Sequence, residues 1–248
     1  GAVSLREAIC AKVERLYQAR YDPESEVTVT AGATQAIFTA IAAMVRPGDE
    51  VVVFEPVYDS YVPAIELNGG TAVRARLAFP EYRPDWSQVG SLIGPRTRMI
   101  IVNTPHNPSG SVWSAGDMTA LEAMVRDTPV VIVADEVYEH IVFDGLCHES
   151  AARYPGLAER SFIISSFGKT YHITGWKVGY CLAPRELMAE FRKAHQYIVF
   201  AVNTPVQLAL ARFMADERRH LELSRFYQSK RDFFRRQLAG SRFDLLPC

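Results

Sequence analysis

Two lysines eight residues apart, Lys169 and Lys177, stand in the stretch SSFGKTYHITGWKVGY at 165–180. Lys169 follows the apolar run Phe162, Ile163 and Ile164 on a turn of Ser, Gly and Thr. A lysine at the carboxyl end of a buried strand, gripped by small residues, suits an amine nucleophile. Lys177 lies within the otherwise apolar 176–182, so both amines are expected to be nearly buried. A phosphorylated aldehyde accounts for the pair: Lys169 forms a Schiff base with it and Lys177 neutralises its phosphate. The plainer alternative is a solvated loop lysine. Gly168-Lys169-Thr170 is not a nucleotide-binding P-loop, because Ile163 occupies the place of that motif's first glycine.

Other residues with chemical potential also follow apolar runs. VTVT at 27–30 leads into Ala31-Gly32-Ala33-Thr34 and then a helical pattern through Ile37, Ile41, Met44 and Val45. Strand, small-residue turn and helix start together form an anion site, because free backbone N–H groups and the helix dipole face the turn; an ordinary tight turn has the same pattern. VVVF at 51–54 ends near Tyr58, whose ring could stack on a planar heteroaromatic or fill the core. MIIV at 99–102 precedes NTPHNPSG, a loop stiffened by two prolines that presents Asn107 for hydrogen bonding or for turn formation. VVIVA at 130–134 ends in Asp135, with Tyr138 just beyond. A carboxylate at the tip of a central buried strand requires a positive partner, such as a pyridine N–H⁺, or else caps a helix over 136–141.

Positioning these residues requires alternating elements. Helices are expected at 4–20, from 37 to the Pro47-Gly48 stop, up to Leu67, at 86–93 and at 115–126, and then from Pro184 to about 202, at 206–214 and at 217–238. Strands are expected at 27–30, 51–54, 71–77, 99–102, 130–134 and 162–164. Continuous apolar strands alternating with helices describe a parallel sheet covered on both faces, whose ligands bind at the strands' carboxyl ends.

The 248 residues carry a net charge of −1 and are 48% hydrophobic, which gives no reason to expect nucleic acid or an anionic membrane as partner. The longest apolar runs are far shorter than a bilayer span. Cys10, Cys147, Cys181 and Cys248 are widely spaced, so reduced thiols and a cytoplasmic location are expected. The six histidines lack paired metal-ligand spacing, and no metal is expected. The helical spacing that begins at Leu5 and an apolar 243–248 that reads as the start of a strand suggest part of a longer protein.

In chain order, Ala33/Thr34, Tyr58, Asn107, Asp135/Tyr138 and Ser166/Lys169/Lys177 resemble the class I and II aminotransferases, fold-type I enzymes that use pyridoxal 5′-phosphate. The resemblance spans essentially the whole chain and rests on Asn-Pro-x-Gly at 107–110, Asp-x-x-Tyr at 135–138 and Ser-x-x-Lys with a basic residue eight on. NTPHNPS and SSFGKTYHITGWKVGYC are most similar to the bacterial methionine aminotransferases and the kynurenine/glutamine transaminases. The resemblance implies an α/β fold, a three-layer α/β/α sandwich with a mostly parallel sheet and a small domain largely missing. It divides the chain into an N-terminal helix over 1–20, a cofactor-binding large domain over 21–215 and, over 216–248, an interdomain helix with the start of a small domain.

It further implies that Lys169 carries the cofactor and shuttles the substrate α-proton, and that Asp135 pairs with the ring nitrogen. Asn107 and Tyr138 hydrogen-bond the cofactor's phenolate oxygen, and Tyr58 stacks on the ring. Ala33, Thr34, Ser166 and Lys177 cradle the phosphate. The implied reaction moves the amino group of an L-amino acid, methionine or aromatic favoured, to a 2-oxo acid in a homodimer. A cysteine-conjugate β-lyase and a non-catalytic cofactor-sensing module remain the alternatives. The family's carboxylate-binding arginine and substrate-covering N-terminal segment are expected outside these residues, and Asn203 is a candidate contact across the dimer.

Overall fold

The structure, a computed structural model, describes residues 1–247. Cys248 lies outside the described residues. Its strands are β1 (Val27–Thr30), β2 (Glu50–Glu55), β3 (Thr71–Ala78), β4 (Arg83–Pro84), β5 (Thr97–Asn103), β6 (Val131–Asp135), β7 (Ser161–Ser166) and β8 (Gly179–Leu182). Its helices are α1 (Val3–Tyr17), α2 (Ala33–Met44), α3 (Tyr61–Leu67), α4 (Trp86–Leu92), α5 (Ala115–Val125), α6 (Pro155–Ala158), α7 (Phe167–Thr170), α8 (Arg185–Ile198), α9 (Thr204–Phe213), α10 (Arg218–Leu221) and α11 (Leu223–Leu238).

The strands form one sheet in the order β1-β8-β7-β6-β5-β2-β3-β4. Neighbours from β7 through β3 run parallel, β8 is antiparallel to both β7 and β1, and β4 is antiparallel to β3. Successive side chains of a strand leave opposite faces, and both faces are apolar and covered here. Ile100, Val102, Ile132 and Ala134 pack with Leu5, Ile9 and Val13 of α1, Met118 and Leu121 of α5 and Leu210 of α9. Met99, Ile101, Val131 and Val133 pack with Ile37 and Ile41 of α2, Ile65 of α3 and Met188 and Phe191 of α8. The outcome is a three-layer α/β/α sandwich with a mostly parallel sheet, as expected.

Two sequence expectations fail locally, and one alternative drops out. The helix that Asp135 would have capped over 136–141 is replaced by turns, closed by Glu139 N–H on Glu136 O and Ile141 N–H on Tyr138 O. Glu136 and Glu139 are both drawn into the interior by buried partners, which fix this backbone in place of an α-helical ladder. The polar helix foreseen over 217–238 is broken at Glu222 into α10 and α11, where His220 turns inward to the core. Residues 243–247 form no strand, and no ladder partner lies beside them among the described residues.

Candidate active site

The carboxyl ends of β5, β6 and β7 lie side by side, with Asn103 in register with Asp135 and Asp135 with Ile164. A cavity of about 150 Å³ opens over them. Ala33, Thr34, Tyr58, Asn107, Asp135, Tyr138, Ser166, Lys169 and Lys177, the catalytic and cofactor candidates from the sequence, line this one cavity. Asn203 lies elsewhere, capping α9 by accepting from the Val206 N–H at 3.2 Å.

Asp135 ends β6 and is the buried acid of the floor. Tyr61 Oη donates to its Oδ2 at 2.6 Å, and the Val137 N–H donates to Oδ1 at 3.3 Å. Burial pushes its carboxyl up to about 6, against the pull of those two donors. Asn103 ties the floor to the neighbouring loop: its Nδ2 donates to Asp135 O at 3.0 Å, and its Oδ1 accepts from the Asn107 N–H at 2.7 Å. Asn107 therefore has its backbone anchored and its side chain at the cavity wall. Tyr58 sits just ahead of α3, with its ring edge-on to that of Tyr61 at 5.5 Å.

β7 continues to Ser166, which caps the single-turn helix α7 by accepting from the Gly168 N–H at 3.1 Å. That turn carries Lys169, whose Nζ lies 5.7 Å from the centre of the Tyr138 ring. Lys169 and Lys177 are both exposed, contrary to the expectation of nearly buried amines. They stand on the rim of an open cleft, where water solvates a cation more cheaply than the interior would.

Across the cleft, β1 turns through Gly32 into α2. Gly32 has φ +81°, a conformation costly for a residue with a Cβ. A Cβ placed there would meet Lys177 Nζ at 3.4 Å, so the ammonium lies against this turn. Gly32 also supplies no capping side chain, and the first N–H groups of α2, at Ala33 and Thr34, face the cleft beside Lys177 and Ser166. A helix start, an ammonium and a hydroxyl converging on one point suit a phosphate. At the other end, a buried carboxylate with fixed donors suits a protonated ring nitrogen. Between them stand an amine and two aromatic rings. The donor set therefore fits pyridoxal 5′-phosphate in kind and in arrangement.

Two contributors were missed from sequence. Tyr61 stands three residues after Tyr58, a spacing that brings both onto one side of the chain entering α3. Asn103 is a polar end to an apolar strand, the same signal that singled out Asp135. Among the described residues no group of His, Cys, Asp and Glu is arranged to hold a metal, and no helix is long and apolar enough to cross a membrane.

The family model described as aminotransferase class I and II matches residues 1–247. The chain is 52% identical over 249 residues to the methionine aminotransferase of Escherichia coli K12, covering 100% of this chain and 64% of that relative. A solved structure of YbdL from Escherichia coli, reported with a methionine aminotransferase function, superposes with a TM-score of 0.98 at 51% identity, covering 100% of this chain and 66% of that one. The N-succinyldiaminopimelate aminotransferase structure from Mycobacterium tuberculosis superposes with a TM-score of 0.97 at 38% identity, covering 100% and 65%. The chain thus spans just under two thirds of the length of these relatives.

Proposed function

We propose, from the premise that this chain belongs to the class I and II aminotransferase family, that it is the cofactor-binding part of a pyridoxal 5′-phosphate-dependent aminotransferase. The reaction is transfer of the amino group of an L-amino acid to a 2-oxo acid in two half-reactions, with methionine or an aromatic amino acid as donor. The observation that carries this reading is the convergence of Lys169, Asp135 and the Gly32/Lys177 anion cradle on a single cavity.

Bound pyridoxal 5′-phosphate supplies an aldehyde carbon and a ring that accepts electrons from the substrate α-carbon. The remaining chemistry belongs to this chain. The N–H groups of Ala33 and Thr34, the Ser166 hydroxyl and the Lys177 ammonium hold the phosphate and fix the depth of the ring. Tyr58 would pack on the ring face. Asp135, as a carboxylate, would accept a hydrogen bond from the ring N–H⁺ and keep that proton in place. Asn107 and Tyr138 would donate to the ring's phenolic oxygen. The Lys169 amine would hold the cofactor and, when free, would be the base placed to take the proton from the substrate α-carbon. Its place on the rim leaves it room for both tasks.

A homodimer and a cytoplasmic location complete the proposal. Exposed Tyr197, Ile198 and Phe200 at the end of α8 give an apolar surface suited to cover by a second copy. Cys10, Cys147 and Cys181 are free thiols, in keeping with a reducing compartment.

The test is to give the cofactor-loaded chain L-methionine with and without a 2-oxo acid. Keto-acid formation that requires an acceptor for turnover, and that Lys169→Ala abolishes, supports an aminotransferase. Ammonia and pyruvate released from a cysteine conjugate with no acceptor would make it a β-lyase.

A further inference from the structure

Tyr61 has no part in the motifs that lead to the site, yet it is 3% exposed and donates to the reactive carboxylate of the floor. Asp135 is itself 4% exposed. A carboxylate at that depth without donors takes up a proton instead of keeping its charge. Each oxygen of Asp135 has one fixed donor, the Tyr61 hydroxyl at 2.6 Å and the Val137 N–H at 3.3 Å, and each keeps acceptor capacity for a ligand. Burial and the adjacent Asp135 hold the Tyr61 phenol above its ordinary range, so it remains a donor near neutral pH.

We infer that Tyr61 is a positioning residue that keeps Asp135 ionised and turned toward the cleft, ready for the N–H⁺ of a heteroaromatic ligand. The inference rests on the reading of Asp135 as the partner of a ring nitrogen. Burial is the strongest influence on Asp135 and opposes its charge. Tyr61 from α3 leads the groups that favour the charge, ahead of the Val137 N–H; Lys169 from α7 adds to them and Glu136 opposes. Tyr58 and Tyr138 are the other titratable groups that face the Tyr61 hydroxyl. A purely packing role for Tyr61, supported by its edge contact with Tyr58, would be met equally by phenylalanine.

The experiment is an infrared pH titration of the cofactor-free chain carrying ¹³C-carboxyl aspartate, with the Asp135 band identified by its loss in Asp135→Asn. The wild-type midpoint is expected near 6. Tyr61→Phe should raise it by about one pH unit or more, the size expected from losing a hydrogen bond to a charged group. 3-Fluorotyrosine at position 61, a stronger donor of almost the same shape, should lower it. A midpoint that is the same with tyrosine and 3-fluorotyrosine overturns the inference, and that comparison remains readable if Tyr61→Phe fails to fold. No cofactor enters the titration, so failure of the wild-type chain to bind pyridoxal 5′-phosphate would count against the proposed function separately.

Discussion

Lys12 Nζ of α1 lies 2.6 Å from Glu139 Oε1, with both side chains buried beneath the turn that carries Tyr138. The pair is fully dressed: Tyr180 Oη is 3.0 Å from Lys12 Nζ, Ser165 Oγ donates to Glu139 Oε1 at 2.6 Å, and Tyr17 donates to the other oxygen. Glu139 neighbours Tyr138 and Ser165 neighbours Ser166, so this network joins α1 to two segments of the site. Removing one partner strands a charge in the core, at a cost of about 3–5 kcal/mol. Lys12→Met should lower stability to urea by that order. Lys12→Met with Glu139→Gln should recover much of the loss, because no unpaired charge is left behind. Equal losses in the single and double variants would contradict this account.

Gly179 begins β8 where the turn at Gly32 crosses it. A Cβ there would sit 2.8 Å from Ser165 O, 3.0 Å from Gly32 C and 3.1 Å from Ala33 N, all backbone atoms. Gly179→Ala should cost about 1–3 kcal/mol, as overpacking does, and should weaken phosphate binding by pushing the anion cradle outward. Gly94→Ala, where an added Cβ meets nothing within 4 Å, is the control and should be near neutral in a thermal melt.

Lys177 should contribute through the phosphate alone. Lys177→Gln is expected to weaken pyridoxal 5′-phosphate binding about 10–100-fold, the value of a charge-assisted contact, while leaving pyridoxal binding unchanged. Lys177→Arg should retain most of the affinity. Fluorescence titration with the two ligands separates this from general damage to the site.

Stability should fall as the solution is acidified from pH 7 toward 4. Burial lowers His106 and His220 to about 4 and His140 to about 3, from an unfolded value of 6.5. Below 6.5 the unfolded chain therefore takes up protons that the folded chain declines, so stability present above 6.5 is lost on the way to the folded values. Asp135 works in the opposite sense between 3.8 and about 6, because its folded carboxyl is raised. One carboxyl only partly offsets three imidazoles. The urea midpoint should be lower at pH 5 than at pH 7, and His220→Gln should narrow that difference.

The sandwich was legible because its central strands carry apolar runs, and the lining of the cavity was legible where Asp135 and Ser166 end such runs and where two prolines stiffen the loop that holds Asn107. The strand GYCL at 179–182 was not foreseen: it is as apolar as the parallel strands of the sheet, and only its pairing with β7 and β1 reveals it as a strand and makes it antiparallel. Lys12 was not singled out from sequence: it stands with Arg6 on the buried face of α1, and its partner is 127 residues away, so only the fold brings them together. The same holds for Tyr61 and Asp135, 74 residues apart. The exposure of Lys169 and Lys177 was misjudged because apolar neighbours in sequence do not enclose a side chain that points into a cleft.

The central claim, that Lys169 at the rim of this cavity binds pyridoxal 5′-phosphate covalently, is tested most directly by absorption spectroscopy. Wild-type chain and Lys169→Ala are each mixed with the cofactor, desalted and scanned, before and after addition of L-methionine. The account predicts a visible band retained by the wild type only, which methionine shifts toward shorter wavelength. A band equally retained by Lys169→Ala, or a wild type that retains none, would contradict it.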